Sequence, residues 1–205
     1  MLGFYLSGHP LDKFRDELIC FTTSTAGNLR QIPDGREVTV GGIITAMKKM
    51  PDRKGNMMAF VTLEDFSGTV ELVCFSDCYD KGKEHMEIDR MMLVTGRVST
   101  REGEAPKVVA AETLPLEKLT ERFNCQLVIK VTSECSDETL DRALAVLDEY
   151  RGSAPVLLAA RENGSEVYIK SKKYAVTVDF KLLDSLKGLL GDSAAYLRPL
   201  QARNS

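Results

Sequence analysis

Between Val38 and Leu114 apolar and polar positions alternate in five short runs, interrupted once by a segment of helical period. Alternation with period two marks a strand with one buried face. In the first run Val38, Val40, Gly42 and Ile44 share a face, and the adjacent Gly41 and Gly42 predict a bulge or tight bend there. Met47 to Asn56 follows as a basic loop, with Pro51, Asp52 and Gly55 as turn formers. The second strand runs from Met57 to Asp65, and Ser67-Gly68 turns it into the third, Thr69 to Phe75, as a hairpin. Ser76 to Met86 reads as a short helix, with Ser76 as its N-cap and Asp77 in the first turn, where a carboxylate suits the helix dipole. The fourth strand, Met91 to Thr100, puts Met92, Val94, Gly96 and Val98 on one face. Residues 101–106 turn it into the fifth, Lys107 to Leu114.

Three strands, a helix and a hairpin is the order of a small OB-fold barrel, which commonly binds oligonucleotides with the face of strands two and three and with its first and fourth loops. Ahead of it Pro10, Leu11, Phe14 and Leu18 predict a short amphipathic helix, followed by a linker, Thr22 to Asn28. Residues 115–123 have helical spacing and lead away from the barrel. Gln126 to Thr132 then alternates as a strand, and Ser136 caps a helix whose apolar stripe is Leu140, Ala143, Leu144, Leu147 and Tyr150, with Gly152 as its stop. Pro155 to Arg161 and Glu166 to Lys170 read as strands around an Asn163-Gly164 turn, and Tyr174 to Asp179 as a further strand. Phe180 to Leu190 is a last helix ending at Gly191, and Leu197 to Ser205 a loose tail. The fold class is mainly β plus α+β: an N-terminal segment (1–35) with a short helix, a five-stranded OB-fold barrel (36–116) and a small α+β domain (117–205).

Composition narrows the chemistry. With 43% hydrophobic and 28% charged residues among 205, the chain is neither disordered nor membrane-embedded, so a cytoplasmic protein is expected. The five cysteines are an odd set without a CxxC pair, and His9 and His85 are far apart, which argues against zinc and against a disulfide framework. His9 reads as a cap or a hydrogen-bonded structural histidine. There is no phosphate loop, no GxSxG and no HExxH. Glu64-Asp65 is the only adjacent carboxylate pair in a strand and a poor metal site, so neither a cofactor nor catalysis is expected.

A net charge of −3 restricts any nucleic-acid binding to a local patch. Lys48, Lys49, Arg53 and Lys54 form one on the first loop, opposed only by Asp52. If Val61, Leu63, Val70, Leu72 and Cys74 fill the barrel, then Phe60, Thr62, Glu71, Val73 and Phe75 face outward. The two phenylalanines are candidate stacking platforms for bases, unless the helix or a neighbouring domain covers them. Arg97, Arg101 and Lys107 are candidate phosphate contacts beside them.

Gly3 to Leu11 (Gly-Phe-Tyr-Leu-Ser-Gly-His-Pro-Leu), Thr62 to Glu71 and Val94 to Val98 together resemble the C-terminal region of the bacterial DNA polymerase III alpha subunit, the C-family replicative polymerase. The resemblance covers essentially the whole chain. It implies a fragment that lacks the catalytic palm of a nucleotidyltransferase and follows the family's internal clamp-binding motif. It implies a barrel that binds single-stranded template DNA, and a last domain that contacts other polymerase III holoenzyme subunits, in some bacteria the clamp-loader tau. The remainder of the alpha subunit would be a further partner. Two other readings are an RNA-binding OB module of a translation enzyme and an OB domain that docks protein only.

Overall fold

The computed structural model describes residues 9–130, 136–162 and 165–200. They fall into two compact units, one of His9–Leu11 with Phe21–Lys118 and the other of Asp12–Cys20 with residues 119–200. A 3-10 turn, Pro10–Phe14, leads into α1, Arg15–Phe21. Pro10 takes the first position, where a missing N–H leaves no bond unmade. His9 is the expected structural histidine, its Nδ1 accepting from the Leu11 amide at 3.2 Å. Gly3 to Gly8 of the opening motif lie outside the described residues.

The stretch read as a linker runs into a second 3-10 turn, Ala26–Gln31, which seats the buried Leu29 in the barrel core. The Ala26 amide donates to Asp65 Oδ2 at 2.7 Å and the Gly27 amide to Ser67 Oγ at 2.8 Å. Asp65 also accepts from the Ser67 and Gly68 amides at 2.7 and 3.1 Å, so this carboxylate closes a hairpin turn.

The barrel strands are β1 (Glu37–Pro51), β2 (Met57–Asp65) and β3 (Gly68–Cys74), then α2 (Ser76–Gly82), β4 (Met91–Ser99) and β5 (Lys107–Pro115). They close in the order β1-β2-β3-β5-β4, and the β3–β5 pair is parallel. β1 serves both sides, pairing with β4 from Glu37 to Ile43 and with β2 from Ile43 to Pro51. The changeover follows Gly41-Gly42, where a bend was expected, and the register slips between Ile44 and Ala46. Val40, Ile44, Val61, Leu63, Leu72 and Val94 form the core, and α2 adds Cys78 and Tyr79.

Two stretches of this unit depart from what their sequence predicts. Met47 to Pro51 is strand, because Met47 and Lys49 pair with Val61 and Ala59, which leaves only residues 52–56 as the turn. The helix ends at Gly82, and Phe75, not Ser76, is its N-cap.

The second unit contains α3 (Leu119–Arg122), β6 (Cys125–Lys130), α4 (Asp137–Glu149), β7 (Arg151–Glu162), β8 (Ser165–Val176), α5 (Phe180–Leu190) and β9 (Ala195–Pro199). Its sheet has the order β8-β7-β6-β9, with β6 and β7 parallel. Ser136 caps α4 as read, accepting from the Thr139 amide, and Ala143 and Leu147 are its buried stripe. Gly152 is not a helix stop. It lies in β7 against the Thr177 backbone, where a Cβ would stand 2.3 Å from the amide nitrogen. The strands read at 166–170 and 174–179 are one strand, β8, whose pairing slips opposite Pro155 to Leu157. The supposed tail from Leu197 begins inside β9, which pairs antiparallel with β6. Residues 131 and 132, the Asn163-Gly164 turn and residues 201–205 lie outside the described residues. The architecture is thus mainly β plus α+β, and among the described residues no helix is long and apolar enough to cross a membrane.

Candidate nucleic-acid interface

Directly opposed residues of paired strands show their side chains on the same face, so the register assigns the outer surface of the barrel. Lys48, Phe60, Val73, Val109 and Arg97 follow one another across β1, β2, β3, β5 and β4. The next row is Ala46, Thr62, Glu71, Lys107 and Ser99, and Met50 stands opposite Met58 beyond the first. The inward set is as read, with Val61, Leu63, Val70, Leu72 and Cys74 each at most 5% exposed.

A groove of about 820 Å³ runs over this face between the β1–β2 and β4–β5 turns. Met50, Met58, Phe60, Val73 and Val109 line it, with Phe75 at the start of α2. Phe75 is 50% and Met50 38% exposed, so two large apolar groups face solvent here instead of the core. A recess of about 380 Å³, lined by Lys48, Phe60, Thr62, Glu71 and Lys107 among others, shares several of these residues.

The charged rim comes from the turns. Asp52 accepts from the Lys54 and Asn56 amides at 2.7 and 2.9 Å, and the Asp52 amide donates to the Asn56 carbonyl at 2.7 Å. The bonds to the carboxylate, that from the Asn56 amide first, hold the Asp52 carboxyl below its ordinary pKa. They also fix the turn that carries Arg53 and Lys54 into the groove. Arg101 enters from the β4–β5 turn, which is tied down by Asp34 Oδ1 accepting from the Thr100 amide at 2.8 Å. Counting the lining side chains, Arg53, Lys54, Arg101 and Lys107 face Asp52, Asp77 and Glu104, so the groove is close to neutral. Lys107 is held above its ordinary pKa by Glu71 first and then Glu104.

Of the ten residues singled out, the structure brings eight together: Arg53, Lys54, Phe60, Phe75, Arg101 and Lys107 line the groove, and Lys48 and Thr62 line the recess beside it. Lys49 and Arg97 line neither. Lys49 alternates to the other side of β1, its Nζ 5.9 Å from the Tyr79 ring, and Arg97 is exposed on β4. Val73 faces the groove as its parity predicts, whereas Met50, Met58 and Val109 were missed as lining residues. Their signal is the cross-strand register: Met50 and Met58 need Met47 to Pro51 to be recognised as strand, and Val109 needs the parallel pairing of β3 with β5.

Among the described residues no three His, Cys, Asp or Glu side chains are grouped to hold a metal ion. Cys20, Cys74, Cys78 and Cys125 are free thiols, and Cys135 lies outside the described residues.

Residues 38–116 match the family described as OB-fold nucleic acid binding domain. A DNA polymerase III subunit alpha from Escherichia coli (strain K12) is 28% identical over 201 residues, 96% of this chain and 17% of that protein. The subunit from Vibrio cholerae is 30% identical over 200 residues, with the same two shares. That from Thermus aquaticus is 32% identical over 161 residues, 77% of this chain and 13% of the relative. The chain therefore spans about a sixth or less of the length of these relatives. It is homologous to one segment of these DNA polymerase III alpha subunits, and its barrel has the OB fold of the matching family.

Proposed function

We propose that the groove binds single-stranded DNA without sequence preference, and that in a C-family replicative polymerase this strand is the template. The observation that carries the reading is the solvent-facing apolar floor, Met50, Phe60 and Phe75, between turns that carry Arg53, Lys54 and Arg101. Bases stack on aromatic faces whatever their sequence, and cations along the rim follow the backbone. Near-neutral lining charge makes stacking the larger share of the affinity. In this reading the chain is a non-catalytic, cytoplasmic part of the polymerase. The unit that holds β6 to β9 serves contacts with other holoenzyme subunits, the clamp-loader tau among them, and with the remainder of the alpha subunit.

The chain has no tryptophan, so Phe75→Trp creates a single reporter at the groove. Its fluorescence is quenched on titration with oligo-dT and less with duplex of equal length. Phe75→Ala weakens oligo-dT binding by about 1 to 3 kcal/mol, the scale for one stacked base. Equal or stronger quenching by oligo-rU points to the RNA-binding module. No quenching by any of the three, with the barrel folded, overturns the reading in favour of protein docking.

A further inference from the structure

Lys107 stands in the middle of the groove, where β3 and β5 pair in parallel and Lys107 is opposite Glu71. Its Nζ is 2.9 Å from Glu71 Oε1 and 3.5 Å from Glu104 Oε2. Two carboxylates around one ammonium leave this part of the floor with a net charge of −1, while Arg53, Lys54 and Arg101 sit on the turns to either side. A phosphate that reached Lys107 would have to displace both carboxylates and then remain beside them, a like-charge contact. A base at the same place brings no charge, and its amino or imino N–H finds an acceptor in Glu71.

We propose, resting on the single-strand reading above, that Glu71 and Glu104 sequester Lys107 and make the groove floor a strip that rejects phosphate. The backbone then runs along Arg53, Lys54 and Arg101, and the bases turn inward onto Phe60, Val73 and Phe75. Glu71 and Glu104 are thus specificity-determining residues: they set which side of the strand faces the protein, and they keep its hold weak enough for the strand to move through.

The test is anisotropy of a labelled oligo-dT of about 20 nucleotides, a length that fills an OB-fold site, titrated over a salt series. Glu71→Gln with Glu104→Gln frees Lys107 and tightens binding about fivefold at low salt, the upper end for an exposed ion pair. The slope of log K against log salt steepens by about 0.7, one further phosphate on a single strand. Adding Lys107→Met cancels both gains. Asp80→Asn with Glu84→Gln, the same change of net charge on α2 and the turn after it and outside the groove lining, shifts affinity less than about twofold. If the wild type binds and the Glu71/Glu104 variant gains nothing, or the α2 variant gains as much, the gating role falls and the binding reading stands. If the wild type and every variant fail to bind, the binding reading falls and the gating role with it.

Discussion

Replacing Lys187 by methionine lowers the unfolding free energy of the β6 to β9 unit by about 3 to 5 kcal/mol at neutral pH, the scale for removing one member of a buried ion pair. Glu17 on α1 is wholly buried and Lys187 on α5 is 5% exposed. The Lys187 Nζ donates to Glu17 Oε1 and Oε2 at 3.2 and 3.4 Å and to the Lys13 carbonyl, and the Leu197 amide of β9 donates to Glu17 Oε1 at 3.3 Å. One carboxylate therefore ties α1, α5 and β9 together, and without Lys187 its charge is buried uncompensated.

Burial is also the leading influence on Glu17 itself, lifting its pKa above the ordinary 4.5, with Lys187 opposing. A carboxyl with a raised folded pKa holds its proton more tightly when folded than when unfolded. Its contribution to stability is full below 4.5 and is lost as pH rises through the folded pKa. The difference in urea midpoint between the wild type and Glu17→Gln, followed from about pH 4 to about pH 7, isolates that step from the other carboxylates. A difference that stays flat over that window contradicts this account of Glu17. A Lys187→Met variant as stable as the wild type contradicts the account of the pair.

Gly42→Ala opens the barrel. A Cβ at that position would lie 2.2 Å from the Glu64 carbonyl oxygen and 3.1 Å from Leu63 Cγ. Backbone must move to admit it, where β1 passes from β4 to β2. Overpacking of this kind costs about 3 kcal/mol or more against rigid neighbours, which lowers the barrel's melting temperature by about 10 °C or more for a domain of this size. Because the displaced partner is β2, which carries Phe60, binding weakens in the same variant. An unchanged melting temperature would mean that β1 and β2 are not closed as described.

The barrel was largely legible because β2, β3 and β4 each carry an unbroken apolar face. Val61, Leu63, Val70 and Leu72 are buried and Phe60 and Thr62 half-buried, in line with their alternation. The errors fall where strands run past the core or lose their period. Met47 to Pro51 was read as loop because Lys48, Lys49 and Pro51 interrupt the apolar alternation and Met50 faces the groove and not the core. That one misreading hid which of Lys48 and Lys49 faces the groove, since parity has meaning only within a strand. Phe75 is exposed, but as the residue before α2 and not as a member of β3. In the second unit β8 was split at Ser171, whose hydroxyl accepts from the Lys173 and Tyr174 amides and breaks the alternation. Gly152 has a helix-stop composition, yet it is required by the approach of Thr177, a contact distant in sequence. The pairing of Lys107 with Glu71 was equally invisible, because it depends on the parallel β3–β5 register that closes the barrel.

In the proposed function, the face carrying Phe60 and Phe75 holds single-stranded DNA. The most direct measurement is anisotropy of labelled oligo-dT with the intact chain, at low and at moderate salt, for the wild type and for Arg53→Ala, Lys54→Ala and Arg101→Ala combined. The account predicts salt-sensitive binding by the wild type, with a slope of about −2 for three phosphate contacts on a single strand. It predicts a shallow slope and weaker binding for the triple variant. Absence of binding at low salt by a folded wild-type chain, or a triple variant that binds as the wild type does, would contradict it.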